Sequence, residues 1–304
     1  VGSSVSSSHS NGTAFVFVPN LCNARCDFCY VRPVFAESAK ASAAVLHRGR
    51  ITAAALSELG FTSVRFTGGE PTIFSNFDEL VSPFINVGLT YRVLTNGFSL
   101  GASLDYFRTT PPERFTISVH TTRDPATVFG VPLSVHELSR TRRTLAAIAD
   151  VEATIVVEDA GRGWDELDST LADLVDDGVS DVKVILENSR QRRDREIFYQ
   201  AALRLRGRWA SRLRTLRFTD PTQSACLLKA KGFPSIDLGL GIAYACCVQV
   251  GDRAVAEGYS LPIGVDATTA SRAIRGVTEH GRRTEASVLP CSAGQDFCPL
   301  ALTS

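Results

Sequence analysis

The feature that most constrains the fold is a repeated exchange between short β-branched or aromatic runs and longer stretches with apolar residues at helical spacing, beginning at Phe15. Six runs read as strands: Phe15 to Val18, Thr62 to Thr67, Tyr91 to Thr95, Phe115 to Val119, Thr154 to Val157 and Val182 to Leu186. Ala43 to Leu59, Phe77 to Ile85, Val135 to Ala149 and Trp164 to Val175 read as helices, and Ser134 is placed to cap the third through its hydroxyl. Strands that alternate with helices are joined by crossovers, which predicts an α/β fold with a parallel sheet. Arg190 to Arg214 reads as a closing basic helix whose charges face solvent.

The residues able to do chemistry follow the ends of these strands. Cys22, Cys26 and Cys29, in the order Cys-x3-Cys-x2-Cys, come after the first, and Gly68-Gly69-Glu70-Pro71 after the second. Thr95-Asn96-Gly97 follows the third, and Ser118-Val119-His120 ends the fourth. In parallel α/β folds, groups that act on ligands gather at the C-terminal ends of strands. Three closely spaced thiolates can hold three irons of a [4Fe-4S] cluster, whose full ligation is four cysteines, so one iron keeps an open position. A structural zinc site would need a fourth Cys or His close by, and a ferredoxin run a fourth cysteine; neither follows Cys29. Two consecutive glycines permit close backbone approach and positive φ, and Glu70 offers a carboxylate able to pair with an ammonium group.

The cysteine triplet and the Gly-Gly-Glu-Pro turn together resemble the radical SAM superfamily, and the likeness runs from the first strand through the sixth. It implies a partial (βα)6 barrel over residues 14–214. The open iron then chelates the amino and carboxylate groups of S-adenosylmethionine (SAM), whose reductive cleavage yields a 5'-deoxyadenosyl radical. The protein supplies orientation and exclusion of side reactions. By resemblance Cys22, Cys26 and Cys29 are the cluster ligands, and Gly68, Gly69, Glu70 and Pro71 hold the SAM amino group. Thr95, Asn96, Ser118 and His120 are expected to meet its carboxylate and ribose hydroxyls, with His120 alternatively a substrate contact or proton acceptor. Phe28 and Tyr30 flank the last ligand and would pack against cluster or adenine.

Residues 215–304 lose the βα rhythm and carry Cys226, Cys246, Cys247, Cys291 and Cys298. Their layout resembles the auxiliary-cluster modules called SPASM and twitch domains, although Cys291 and Cys298 are separated by six residues rather than two. The resemblance implies a second, auxiliary [4Fe-4S] cluster; buried free thiols or a zinc site are the alternatives. Adjacent side chains usually point apart, so of Cys246 and Cys247 one is expected to ligate the cluster and the other to be free as a hydrogen-atom donor. In size and cysteine layout the chain resembles aminoglycoside-modifying members such as neomycin epimerase, which implies hydrogen abstraction from a C–H bond of a polar natural product and epimerisation. The alternatives are oxidation of an aminocyclitol through the auxiliary cluster, peptide crosslinking or modification, cyclisation in molybdenum-cofactor synthesis, and a non-enzymatic iron-sulfur electron carrier.

Composition narrows the partners. The 304 residues hold 32 Lys and Arg against 32 Asp and Glu, so no overall field attracts nucleic acid or an anionic membrane. A small-molecule substrate and a reductant such as flavodoxin or ferredoxin are expected. No stretch is apolar and long enough to span a bilayer and no apolar signal segment opens the chain, so eight cysteines predict a reduced, cytoplasmic setting. The Ser- and Gly-rich residues 1–13 read as a disordered leader.

Overall fold

The computed structural model describes residues 12–26, 29, 31, 33–120, 124–157, 164–186, 192–219, 233–245 and 260–283. Phe28, Tyr30, Cys226, Cys246, Cys247, Cys291 and Cys298 lie outside the described residues, as does the leader up to residue 11.

The six strands expected from sequence are β1 (Thr13–Phe17), β4 (Ser63–Thr67), β5 (Thr90–Thr95), β6 (Arg114–Ser118), β7 (Asp150–Val157) and β8 (Asp181–Leu186). They lie side by side in that order, every neighbouring pair parallel. Two-residue strands β2 (Leu21–Cys22) and β3 (Val34–Phe35) form a separate parallel ribbon within the cysteine loop.

Six strands undercount the sheet, which has ten among the described residues. Beyond β8, β9 (Thr215–Thr219) adds another parallel neighbour, and on the far side of β1 stand β10 (Ser235–Asp237), parallel to β1, then β11 (Ile242–Tyr244), antiparallel to β10, and β12 (Ser260–Pro262), antiparallel to β11. All four additions come from residues 215–304. Three of them are three residues long, too short to carry a readable alternation. The fourth, β9, follows directly on a helix that the basic run had seemed to extend: α7 covers Arg192–Trp209, and Leu213 then turns into the core while the Arg214 amide donates to the Ser180 carbonyl at 2.8 Å.

Helices α1 (Ala43–Glu58), α2 (Phe77–Asn86), α3 (Ser103–Thr109), α4 (Pro125–Phe129), α5 (Val135–Ala146) and α6 (Trp164–Asp176) connect the strands, and α8 (Ala267–Arg283) packs beside α1. The Ser134 hydroxyl caps α5 as expected, accepting from the Glu137 amide at 3.4 Å, but the helix stops at Ala146 because the chain must turn into β7 at Asp150.

The sheet's two faces differ in kind. Val64 and Phe66, Tyr91 and Val93, and Phe115 and Ile117 point to the helix layer and are buried. There Phe66 meets Phe84 edge-on at 5.2 Å, Phe77 meets Phe107 at 5.3 Å, and Phe107 meets Phe115 at 4.9 Å. Because side chains alternate along a strand, the residues between them face the other way. Those are Arg65 and Thr67 on β4, Arg92 and Leu94 on β5, and Arg114, Thr116 and Ser118 on β6. A parallel sheet covered on both faces would be apolar throughout its strands. Here one face packs a core and the other forms the polar wall of a cavity.

Candidate active site

The cysteine loop leaves β1 and is fixed by backbone contacts to the strand ends around it. The Val18 amide donates to the Thr67 carbonyl at 2.8 Å, and the Glu70 amide to the Leu21 carbonyl at 2.8 Å. These contacts explain the glycine pair. A Cβ on Gly69 would stand 1.9 Å from the Leu21 carbonyl oxygen, and one on Gly68, whose φ is +122°, would stand 2.8 Å from that of Val18. The close approach expected of these glycines is therefore made to the chain's own cysteine loop. Gly130 supports the loop from another side: its φ is +63°, a Cβ there would lie 2.9 Å from the Arg25 carbonyl oxygen, and the Arg25 amide donates to Phe129 at 2.8 Å.

Glu70 organises the turn. Its Oε1 accepts from the Thr72 amide at 3.0 Å and from the hydroxyls of Thr72 and Thr95 at 2.8 and 2.7 Å, while Oε2 accepts from the Asn96 amide at 2.6 Å. One carboxylate thus ties the end of β4 to the end of β5. An ionised carboxylate offers about four lone-pair sites. Oε1 is fully used, and Oε2 alone retains capacity toward the cavity that Glu70 lines. Burial raises the Glu70 pKa, opposed by the hydrogen bonds from Asn96 and Thr72. Pro71 begins a short 3-10 turn, Pro71–Ile73, that Glu70 caps; it is buried and does not reach the cavity lining.

Asn96 links this network to a cysteine. Its Nδ2 lies 3.8 Å from the Cys22 sulfur and donates to Asn23 Oδ1 at 2.8 Å, and its Oδ1 accepts from the Phe98 amide at 3.0 Å. Cys22 is buried and Cys26 and Cys29 partly so; none of the three is in a disulfide, and a turn between the last two is closed by the Cys29 amide on the Cys26 carbonyl at 3.1 Å. Burial, then the Glu70 charge, pushes the Cys22 thiol up to about 12. A thiol in that setting becomes a thiolate only when a cation replaces its proton, the condition that metal binding supplies.

All three cysteines line one cleft of about 1140 Å³ of empty space together with Gly68, Gly69, Glu70, Thr95, Asn96, Ser118 and His120. Among the described residues no three His, Cys, Asp or Glu side chains are arranged to hold a single metal ion, and the three thiols share one cavity lining. The sequence reading missed the deeper lining, notably Arg65, Thr116, Glu152, Thr154 and Lys183. Their signal was the polar residue at every second position of the strands, which had been read only as strand pattern.

His120 is held by a backbone bond from a neighbouring strand. Its backbone has a positive φ of 56°, and its Nδ1 accepts from the Val156 amide at 3.2 Å. The neutral ring must therefore carry its proton on Nε2 and act as a donor there. Burial lowers its pKa to about 3. Between that value and the ordinary 6.5 the unfolded chain binds a proton that the folded chain does not, so stability is full above 6.5 and falls as pH drops toward 3. The loss is up to about 1.4 kcal/mol for each pH unit in this window. Denaturant titrations of the parent and of His120→Gln across that window check it: the parent is expected to lose stability more steeply on acidification.

Residues 16–153 match the model of the Radical SAM superfamily. Over 86 residues the chain is 33% identical to an S-adenosylmethionine-dependent nucleotide dehydratase of Flammeovirga pacifica, a stretch covering 26% of this chain and 28% of that protein. Over 106 residues it is 28% identical to a probable GTP 3',8-cyclase of Metallosphaera sedula, covering 34% of this chain and 33% of the relative. The aligned stretches thus span no more than about a third of these relatives' lengths. Streptococcus suis SuiB, solved with S-adenosylmethionine bound, shares the fold with a TM-score of 0.65 at 12% identity, over 94% of this chain and 72% of SuiB. The matched residues 16–153 include the cysteine triplet, the Gly68-Gly69-Glu70 turn, Thr95, Asn96, Ser118 and His120, the residues that line the cleft.

Proposed function

We propose that this chain is a radical SAM enzyme whose cluster is held by Cys22, Cys26 and Cys29 and whose SAM and substrate share the cleft beneath them. The observation that carries the reading is the meeting of three cysteines outside any disulfide with the Gly68-Gly69-Glu70 turn, Thr95-Asn96 and Ser118 on one cleft at the strand ends. When bound, the cluster and SAM supply one-electron reductive cleavage and a carbon radical able to abstract hydrogen.

The chain's own residues prepare the cleft. Glu70 holds Asn96 so that its amide nitrogen addresses Cys22, and Oε2 remains able to receive the SAM ammonium group. His120 Nε2 and the Ser118 hydroxyl can donate to SAM oxygens, and the buried layer of Cys22, Ala24 and Phe129, with Phe98 packed against it, keeps water from the cysteine loop. We assign the barrel role to the six central strands, and to residues 215–304 an auxiliary [4Fe-4S] cluster ligated from among Cys226, Cys246, Cys247, Cys291 and Cys298. On that assignment the remaining thiol of Cys246 and Cys247 returns hydrogen in an epimerisation; two-electron oxidation through the auxiliary cluster is the alternative outcome. The substrate is a small polar molecule. A polycationic aminoglycoside fits less well than the sequence suggested, because Arg65 and Lys183 line the floor of the cleft.

Anaerobic reconstitution tests the cofactor assignment. Iron and sulfide content should fall by one cluster in the variant with Cys22, Cys26 and Cys29 all changed to Ala. SAM should perturb the electron paramagnetic resonance of the reduced parent and leave that of the variant unchanged.

A further inference from the structure

The cleft continues below the strand ends, where charged side chains line it. Its floor includes Arg65, Thr116, Glu152 and Lys183. Arg65, Thr116 and Glu152 are also walls of a second cavity, of about 770 Å³ of empty space, on whose far side stand Arg92, Arg114 and Arg217. Glu152 is the carboxylate common to both, and it is already engaged: Arg217 bonds its Oε2, and Arg114 stands 3.5 Å from the same oxygen. Arg92 pairs with Glu113 at 3.0 Å, and Arg114 also reaches Asp181 at 3.2 Å.

Arg65 differs from these neighbours. Among the described residues it forms no ion pair. Its Nε is buried without a hydrogen-bond partner, and its guanidinium carbon lies 5.4 Å from the Phe15 ring centre. Burial, and the like charge of Arg92, lowers its pKa to about 10. A buried guanidinium donor left unpaired is costly, and the cost is removed by an anion that accepts from it. Arg65 lines both cavities, and a planar guanidinium fork matches the oxygens of a phosphate.

We propose that the substrate carries a phosphate group, which enters the cleft first and is bound by Arg65 at its floor beside Lys183. The reacting end of the molecule is then left uppermost, toward Cys22, Cys26 and Cys29. This deepens the reading of the cleft as the substrate site and rests on it. The phosphate fixes orientation, and Arg65 with Lys183 on the same lining favours a multiply charged anion over a single carboxylate.

Calorimetric titration of the cluster-free full-length protein with inorganic pyrophosphate, and separately with succinate, tests it at fixed ionic strength. The parent is expected to bind pyrophosphate, with affinity at least ten-fold lower in Arg65→Met and unchanged in Arg108→Met, an exposed arginine paired with Asp105. Arg65→Lys, which keeps the charge and loses the fork, should be intermediate, and it serves in place of Arg65→Met should that variant not fold. Equal binding by parent and Arg65 variants overturns the proposal, as does preference for succinate. A loss of SAM binding by reconstituted Arg65→Lys with pyrophosphate binding unaltered also overturns it, since Arg65 would then serve the SAM carboxylate. Because the pyrophosphate arm uses neither cluster nor SAM, its failure is separate from failure of the radical SAM reading.

Discussion

Gly69→Ala is expected to destabilise the protein by about 3 kcal/mol or more and to empty it of cluster on purification. The added methyl would stand 1.9, 2.5 and 2.7 Å from the carbonyl oxygen, carbonyl carbon and nitrogen of Leu21, all of them backbone. No rotamer change can relieve that contact, so either the turn after β4 or the loop bearing Cys22 must move. Moving the loop breaks the bond from the Glu70 amide to Leu21 and shifts the residue next to Cys22. Thermal denaturation and iron content report the two losses. Gly207→Ala is the matched control: nothing lies within 4 Å of its added Cβ, it sits inside α7, and helix propensity favours alanine there by about 1 kcal/mol. A Gly69→Ala protein as stable and as iron-rich as the parent would mean that the turn and the cysteine loop are not in the contact described.

Glu70→Gln is expected to lose about 1–3 kcal/mol and to weaken SAM binding by more than its stability loss explains. The amide oxygen can still receive Thr72 and Thr95, but the amide nitrogen then faces the backbone N–H of Asn96, two donors against each other. Asn96 is displaced from Cys22 as a result, and the charge that would meet the SAM ammonium is gone. Denaturant titration of the cluster-free variant isolates the first effect. Equilibrium SAM binding to reconstituted variant and parent isolates the second. Unchanged SAM affinity would leave Glu70 as a purely structural strut between β4 and β5.

The elements that a periodic pattern of useful length specifies were legible in the chain. Six strands and the helices between them follow from alternation and helical spacing, and the capping hydroxyl of Ser134 was readable because one residue type at one position does that work. Strands β10 to β12 were not, since three residues carry no period and their pairing to β1 and to one another is decided by tertiary contacts. The distant donors of Arg48, which bond the carbonyls of Leu238 and Gly239 at 3.0 and 2.7 Å, are contacts of that kind.

In the site, the motif residues were visible as motifs, and the structure brings Cys22, Cys26, Cys29, Gly68, Gly69, Glu70, Thr95, Asn96, Ser118 and His120 to one cleft. Their partners were not visible. The pattern could say that two glycines were needed but not that Leu21 and Val18 were the reason, and it could name His120 but not its tautomer, which a backbone amide on another strand fixes. In the sequence Arg65 is one residue of the strand run Thr62 to Thr67. Its meaning depends on which of its neighbours across β5, β6 and β7 already hold a counter-charge, and that pairing is a property of register.

The most direct test of the central claim is anaerobic incubation of the reconstituted protein with SAM and dithionite, reading 5'-deoxyadenosine and methionine by mass. The account predicts both products from the parent and neither from the variant in which Cys22, Cys26 and Cys29 are Ala. Absence of deoxyadenosine from a parent that carries a reducible cluster, or equal amounts from parent and variant, would contradict it.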